Sequence, residues 1–497
     1  MADLADDTAR QPLGEGLDPA LVAAADPAGA ARGGDRRGLS LGAVSWAVHE
    51  GGRDPYVIMV TIYIFGPYFA AAFAGGGAKG QETVAFITTC YGLLTAITAP
   101  FLGSAVQLMG RRKPLLFLIV ALMAPLIFAL WWAKPDHTGL TLPILEVMLF
   151  VIPTLFAYGE MIHNAMLTSA ATPVERPGAS GLALALGNFV STFMLVFVLW
   201  GFVLPGAVHW SFVPAHPLFG LDPAKHEPER IVGPIVAVVL ALGSIPMFLF
   251  TRDAPSSGIK VGEAFRQGAG ALFETVKSLG TDRNAALYLG SRMLYTDGMT
   301  ALLAIGGVYA AGVMHWATLD LLVYGILLSV AAVGGGLLAG WMDATFGPRQ
   351  AVRIEILGAF IALVGQLSMG RDHMFFVIPY DAVAHAPLWN GPMFRTLPEV
   401  VYLLIGLGTA VFVTGQYASS RTLLTRLVPE EKTASFFGLY ALSGTVTAWL
   451  GSFLVGAATH VSGAQQAGFA PIAFLLAVGF VGMLFVKGGG VLGSDPR

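Results

Sequence analysis

Among the ionisable side chains inside long apolar stretches, seven stand out: Glu50, Arg53 and Asp54, then Glu160 and His163, then Arg292 and Asp297. Placing a charge at the centre of a bilayer costs about 2.5–3.5 kcal/mol on insertion scales, so each is a candidate for function. The chemistry open to them is proton transfer and ion binding. Glu50 lies three residues before Arg53 and four before Asp54, so all three can share one helix face. Four carboxyls oppose two guanidiniums, and a bound proton would relieve that excess of negative charge in a dry interior. Glu160 or Glu50 is the expected carrier of a coupling proton, with His163 one helical turn from Glu160. Arg53 or Arg292 could instead dock a substrate carboxylate. Blander readings compete: a neutral packing histidine at 163, and Arg292 with Asp297 as a structural pair five residues apart. Asn164, Tyr295 and Gln416 complete the candidate pathway.

Such side chains need elements that cross an apolar medium. Apolar stretches, each about long enough for a ~30 Å hydrocarbon layer, recur at 43–74, 84–109, 114–133, 142–170, 178–205, 232–251, 285–313, 318–342, 350–370, 396–419, 433–460 and 467–487. The expected fold class is an all-α membrane protein with twelve transmembrane helices in two six-helix bundles. Continuous apolar runs, rather than alternating ones, exclude a closed barrel. Composition agrees: 55% of residues are hydrophobic and 12% charged, against ~25% charged in soluble chains, and mean hydropathy is +0.69. A cytosolic enzyme, a secreted domain and a nucleic-acid binder are excluded, and a net charge of -3 offers nothing to a polyanion. The single cysteine, Cys90, excludes an internal disulfide and a cysteine-clustered metal site. No cofactor or metal is expected, no phosphate-binding Gly-x-x-x-x-Gly-Lys-Ser/Thr loop exists for ATP-driven pumping, and no nucleophile–base set points to an enzyme.

The expected organisation is a disordered cytoplasmic tail (1–40), a first bundle (41–251), a linker (252–284), a second bundle (285–488) and a short tail (489–497). In the linker, Val261, Phe265, Ala269, Leu272, Val276 and Leu279 recur at spacings of three and four, one face of a membrane-surface helix. With both termini inside, twenty Lys and Arg face the cytoplasm and six the other side, so both termini are expected to be cytoplasmic. The cell (inner) membrane is the expected location. In the first span, Gly51-Gly52 and Pro55 are expected to break the helix, with Asp54 as an N-cap before Pro55. The alternative is that Pro55–Gly75 alone spans and His49–Asp54 form a wetted mouth.

Two loops repeat one pattern. After the second span the chain reads Gly103, Gln107, Gly110, Arg111, Arg112; after the eighth it reads Gly340, Asp343, Gly347, Pro348, Arg349. Glycines seven apart with a basic residue soon after, at matching places, form an internal repeat, small residues allowing close helix approach. The pattern resembles the Gly-x-x-x-Asp-x-x-Gly-Arg-Arg/Lys loop signature of the major facilitator superfamily. There the acid makes a charge contact that steadies one gating state; Gln107 cannot supply it, and Asp343 is displaced by one residue.

A narrower resemblance is spread over 45–460. Ser45-Trp46-Ala47-Val48-His49-Glu50, His163-Asn164-Ala165-Met166-Leu167, Ser180-Gly181, Leu294-Tyr295-Thr296-Asp297-Gly298, Gly415-Gln416-Tyr417-Ala418-Ser419-Ser420-Arg421 and Phe436-Phe437-Gly438-Leu439-Tyr440 follow in collinear order. They resemble the vacuole-effluxer-like (autophagy-related amino-acid effluxer) branch of that superfamily, with departures at Glu50, Arg53 and Gly444-Thr445. The resemblance implies secondary transport by alternating access of a small polar solute, amino acids or short peptides first. It also implies that helices one, four, seven and ten line one central pocket. Glu50, Glu160 and Asp297, which fall at comparable depths, are then expected to converge there, with Gln416 below them. Expected partners are a small-molecule substrate, the lipid bilayer and a coupling proton. A cation-coupled sugar symporter would instead need pocket-facing Trp or Tyr, and a non-transporting receptor or assembly partner would tolerate neutralisation of the charged groups.

Overall fold

The structure is a computed structural model describing residues 38–172, 175–206, 208–260, 262–264, 266–267, 270, 277, 283–427, 439–440, 443–444 and 447–488. Apolar backbone away from water must satisfy its own N–H and C=O groups, and helices do so within one segment. Among the described residues, eleven helices are long and apolar enough to cross a membrane. We number α1 (Leu41–Phe73), α2 (Gly77–Met109), α3 (Lys113–Ala129), α4 (Leu142–Ala170), α5 (Arg176–Val198) and α6 (Val232–Phe250) in the first half. In the second half are α7 (Arg283–Val313), α8 (Thr318–Phe346), α9 (Pro348–Leu367), α10 (Leu397–Leu427), the shorter α11 (Leu450–Ser462) and α12 (Gln465–Phe485). A small hairpin, β1 (His373–Met374) against β2 (Ile378–Pro379), lies between α9 and α10. Part of the expected span 433–460, the six apolar linker positions and most of both tails lie outside the described residues.

Within the first half α1 packs on α5 and α6; within the second, α7 packs on α12 and α10 on both α8 and α9. The largest contact between halves is α2 against α11. Gly52 and Gly243 let the backbones of α1 and α6 touch, since a Cβ on Gly52 would lie 3.0 Å from the Gly243 Cα. The Arg111–Lys113 loop marks one end of the molecule, here the basic end; the other is the distal end.

The first helix is not broken at Gly51-Gly52 or Pro55; its interruption lies at Ile64 (φ -121°, ψ -71°). Ser40 caps it, its hydroxyl accepting from the Ala43 N–H, and the chain stays right-handed helical through Asp54 (φ -60°, ψ -33°). Asp54 is therefore no N-cap. Pro55 removes one N–H, and wider turns follow over Tyr56–Tyr63 and again over Phe69–Phe73. His49, Glu50 and Arg53 are 1%, 9% and 4% exposed, which rules out the wetted mouth.

The two repeat loops differ in use. Gly110 ends α2 at φ +85°. Asp253 then caps α3 from a distant part of the chain, Oδ1 accepting from the Arg112 N–H at 2.9 Å and Oδ2 from the Lys113 N–H at 3.2 Å. The Arg112 side chain donates to the Ala165 carbonyl on α4, while Arg111 is exposed. Gly103 does pack closely, a Cβ there meeting the Met161 sulfur at 3.0 Å. Gly340 does not: it is exposed with nothing within 4 Å, and Gly335, one turn earlier, makes the close approach to Val411 on α10. Gly347, at φ +79°, sets the turn into α9. Asp343 and Arg349 are half-buried.

Side-chain hydrogen bonds between halves, among the described residues, gather at the distal end. Gln81 donates to the Thr459 hydroxyl at 3.0 Å and the Gln465 carbonyl at 3.1 Å, and accepts from the Gln465 amide at 3.3 Å. Glu82 meets His460 at 2.7 Å, and the Thr318 hydroxyl donates to Glu229 at 2.7 Å.

Candidate proton site and solute cavity

Trp46, Glu50 and Arg53 fall at i, i+4 and i+7 of α1; Phe156, Glu160 and His163 fall at the same spacing on α4. Each trio therefore lies on one helix face. The two helices run antiparallel and the trios meet in reverse order. At one end the Trp46 and His163 rings stack with centroids 4.5 Å apart, and the Trp46 indole N–H donates to the His163 carbonyl at 2.8 Å. At the other, the Arg53 guanidinium lies 4.6 Å over the Phe156 ring and 3.5 Å from Glu160 Oε2. Glu50 stands between them, Oε1 accepting from Arg53 Nη2 at 2.6 Å and Oε2 lying 3.1 Å from His163 Nδ1.

The two ring nitrogens of His163 face different groups. Nε2 lies 2.9 Å from the Trp46 carbonyl. A carbonyl only accepts, so Nε2 carries hydrogen. Nδ1 then faces Glu50 Oε2, and a bare lone pair against a carboxylate oxygen at that distance would be repulsive. A proton on either atom would turn that contact into a hydrogen bond. The sequence pairs His163 with Glu160, one turn away; the structure pairs it with Glu50 across the helix interface. It is no isolated packing histidine.

Three carboxyls surround Arg53. Asp54 Oδ1 is 3.5 Å from its guanidinium, and the Asp54 carboxyl rests on Gly187 of α5, where any Cβ would collide with it. Glu160 is the most accessible of the three, its side chain 47% exposed. His49 lies against the His163 ring, centroids 4.7 Å apart, and meets the Ser244 hydroxyl of α6 at 3.0 Å. Asn164 is exposed.

The second half holds a separate polar cluster. Arg292 Nη1 donates to the Tyr440 carbonyl at 2.8 Å and the Ser443 hydroxyl at 2.6 Å, and the guanidinium lies 3.5 Å over the Tyr440 ring. Asp297 Oδ2 accepts from the Gly451 N–H at 2.9 Å. Arg292 and Asp297 are thus no structural pair, because each is turned toward the α11 side and finds a partner there. Asp297 turns to the Gly451 N–H while Glu50 and Glu160 face Arg53, so the three acids have different partners. Tyr295 and Gln416 are fully buried.

Sequence reasoning passes over Glu355. It is 1% exposed on α9, and Oε1 accepts from the Ser419 hydroxyl at 2.9 Å. The signal was available: Glu355 falls in the stripe of Val352, Ile356 and Ala359, all buried. The contribution of Trp46 was not, because an indole in an apolar helix has no spacing rule that names its partner.

A cavity of about 350 Å³ lies between the halves, lined from α1, α5, α7, α8, α9, α10 and α12. Five tyrosines line it (Tyr63, Tyr309, Tyr324, Tyr402 and Tyr417), with Asn188, Ser329, Gln366, Thr409 and Thr414. None of the charged residues named above is among its lining residues.

Two helical halves around a central cavity, with ionisable groups buried beside it, define a secondary transporter of the major facilitator type: an integral, multi-pass membrane protein. The chain belongs to the family described as "Vacuole effluxer Atg22 like", whose model matches residues 180–488. It is 20% identical over 453 residues to the "Uncharacterized MFS-type transporter YxiO" of Bacillus subtilis (strain 168), covering 89% of this chain and 94% of that one. It is 24% identical over 187 residues to "Autophagy-related protein 22" of Yarrowia lipolytica, 37% of this chain and 28% of that protein. Among solved structures, the fold is similar to a variant of the nucleoside transporter NupG (TM-score 0.60, 11% identity, 90% of this chain and 100% of that one). It is also similar to the inward open xylose transporter XylE of E. coli (TM-score 0.57, 12% identity, 91% of this chain and 96% of that one).

Proposed function

We propose that this chain is a proton-coupled transporter that moves a small polar solute by alternating access. It would have twelve spans and both termini on the cytoplasmic side, most readily in the cell membrane. The observation that carries the reading is the buried Glu50–His163 contact at 3.1 Å, which would hold the coupling proton three residues from an arginine that two further carboxyls also approach. Losing that proton leaves Glu50, Asp54 and Glu160 around Arg53 with neutral His163, an unbalanced charge inside the first half. A site of this kind favours different helix arrangements when loaded and empty, which is what coupling requires. The cross-half hydrogen bonds at the distal end support a state closed on that side, one of the two that alternating access needs.

The test is solute uptake into proteoliposomes with and without an imposed pH gradient. Wild type should accumulate solute only with the gradient. Glu50→Gln should lose gradient-driven accumulation yet keep solute exchange at equilibrium, and Glu160→Gln should weaken coupling less. Undiminished accumulation by Glu50→Gln would refute the assignment of the proton.

A further inference from the structure

We infer that the central cavity binds an uncharged, hydroxyl-rich ring compound, of the sugar or nucleoside kind, rather than a zwitterion or an ion. The inference rests on the transport reading above and adds the substrate class to it.

The lining is the argument. Among the described residues it contains aromatic faces, hydroxyls and carboxamides, and no carboxylate, ammonium, guanidinium or imidazole. An amino acid brings two opposite charges, each of which must give up water for a charged or multiply hydrogen-bonding partner. Without one, burial costs several kcal/mol. The charged residues are already committed elsewhere: Arg53 to Glu50, and Arg292 to the Tyr440 carbonyl and Ser443. A neutral ring escapes this penalty. Its apolar face can lie on tyrosine and its hydroxyls can meet the polar atoms of the wall.

Those atoms have capacity to spare. Tyr309 lines the cavity, its buried hydroxyl without a hydrogen-bond partner and its ring held by stacking on Phe469 at 4.3 Å. The Tyr324 hydroxyl accepts from the Gln366 amide at 3.1 Å, so its own hydrogen is free to donate. Gln366 Oε1 accepts only a long bond, 3.4 Å, from Thr409. Donors and an acceptor from α7, α8 and α9 thus face one space. A buried hydroxyl left unpaired costs stability, and a ligand that pairs it recovers that cost. Tyr324 is seated by Gly406, where a side chain would strike its ring.

The test is binding, which is independent of coupling. Purified protein in detergent is titrated with monosaccharides, nucleosides, leucine, glutamate, arginine and a dipeptide, and each is scored by ligand-dependent rise in Tm. One neutral ring class should stabilise the protein and the zwitterions should not; the sugar and nucleoside arms separate the two sources of the same chemistry. Tyr309→Phe should raise the Kd of the binding compound roughly ten-fold, while the ligand-free Tm does not fall, since the hydroxyl it removes has no partner. Gln366→Leu should give a similar loss. Stabilisation by amino acids with none by neutral rings, no stabilisation by any of the compounds, or binding indifferent to both substitutions would overturn the inference. Proton-driven uptake of a zwitterion would overturn this substrate class and leave the proton site intact.

Discussion

His163 touches Glu50 and Trp46 at once: Nδ1 lies 3.1 Å from the Glu50 carboxyl and Nε2 2.9 Å from the Trp46 carbonyl. One ring thereby ties α4 to two successive turns of α1. Because each partner satisfies the other, their deletions should not add. Glu50→Gln and His163→Gln should each lower the apparent Tm in detergent, and a double-mutant cycle should give a coupling of about 0.5–3 kcal/mol. Strict additivity would mean that the two side chains do not share the proton.

Asp253 acts as an N-cap supplied from outside its helix. Both its oxygens accept from the first N–H groups of α3, and Arg112, at the cap position, offers no side-chain acceptor of its own. Asp253→Ala should therefore cost about 0.5–2 kcal/mol, as loss of an ordinary cap does, and Asp253→Asn should restore most of it. Thermal unfolding of the three proteins decides the matter.

The distal lock is expected to govern conformation more than stability. Glu82 and His460 are partly or largely exposed, and an exposed ion pair contributes at most about 1 kcal/mol. Gln81 is different, being buried and bonded to both Thr459 and Gln465. Gln81→Leu strands those partners at a cost of about 1–3 kcal/mol borne only by the closed arrangement. Spin labels at the distal ends of α2 and α11 should then report a longer mean distance, and an unchanged distribution would show that the lock is not limiting.

Glu175 joins the start of α1 to the start of α5 at the basic end. Its carboxyl accepts from the Ser40 N–H at 2.6 Å, the Thr172 N–H at 2.9 Å and the Thr172 hydroxyl at 2.7 Å. Those donors, the Thr172 N–H first, hold its pKa down at about 2 from the ordinary 4.5. A depressed carboxyl stabilises the fold above its unfolded pKa and loses that contribution as pH falls through the folded value. The joint should be intact at neutral pH and weaken between about pH 4.5 and about pH 2. Comparing Tm against pH for wild type and Glu175→Gln checks it: the two curves should draw together on acidification.

Much of this molecule was legible before any coordinates. Apolar runs dictate helices because hydrocarbon cannot satisfy backbone polar groups, and the charges of α1 and α4 announce themselves because burying them is costly. The spacing of Trp46, Glu50 and Arg53, and of Phe156, Glu160 and His163, already commits each trio to one face. What spacing cannot give is the register between two helices. Only packing, with Gly52 on Gly243 and Asp54 against Gly187, slides α1 along its neighbours until His163 meets Glu50 and Arg53 meets Glu160. The same holds for Asp297, whose depth matches Glu50 but whose helix turns it toward Gly451. Depth along a helix follows from counting residues; direction around it is set by the side chains of other helices, and these the chain brings together only on folding.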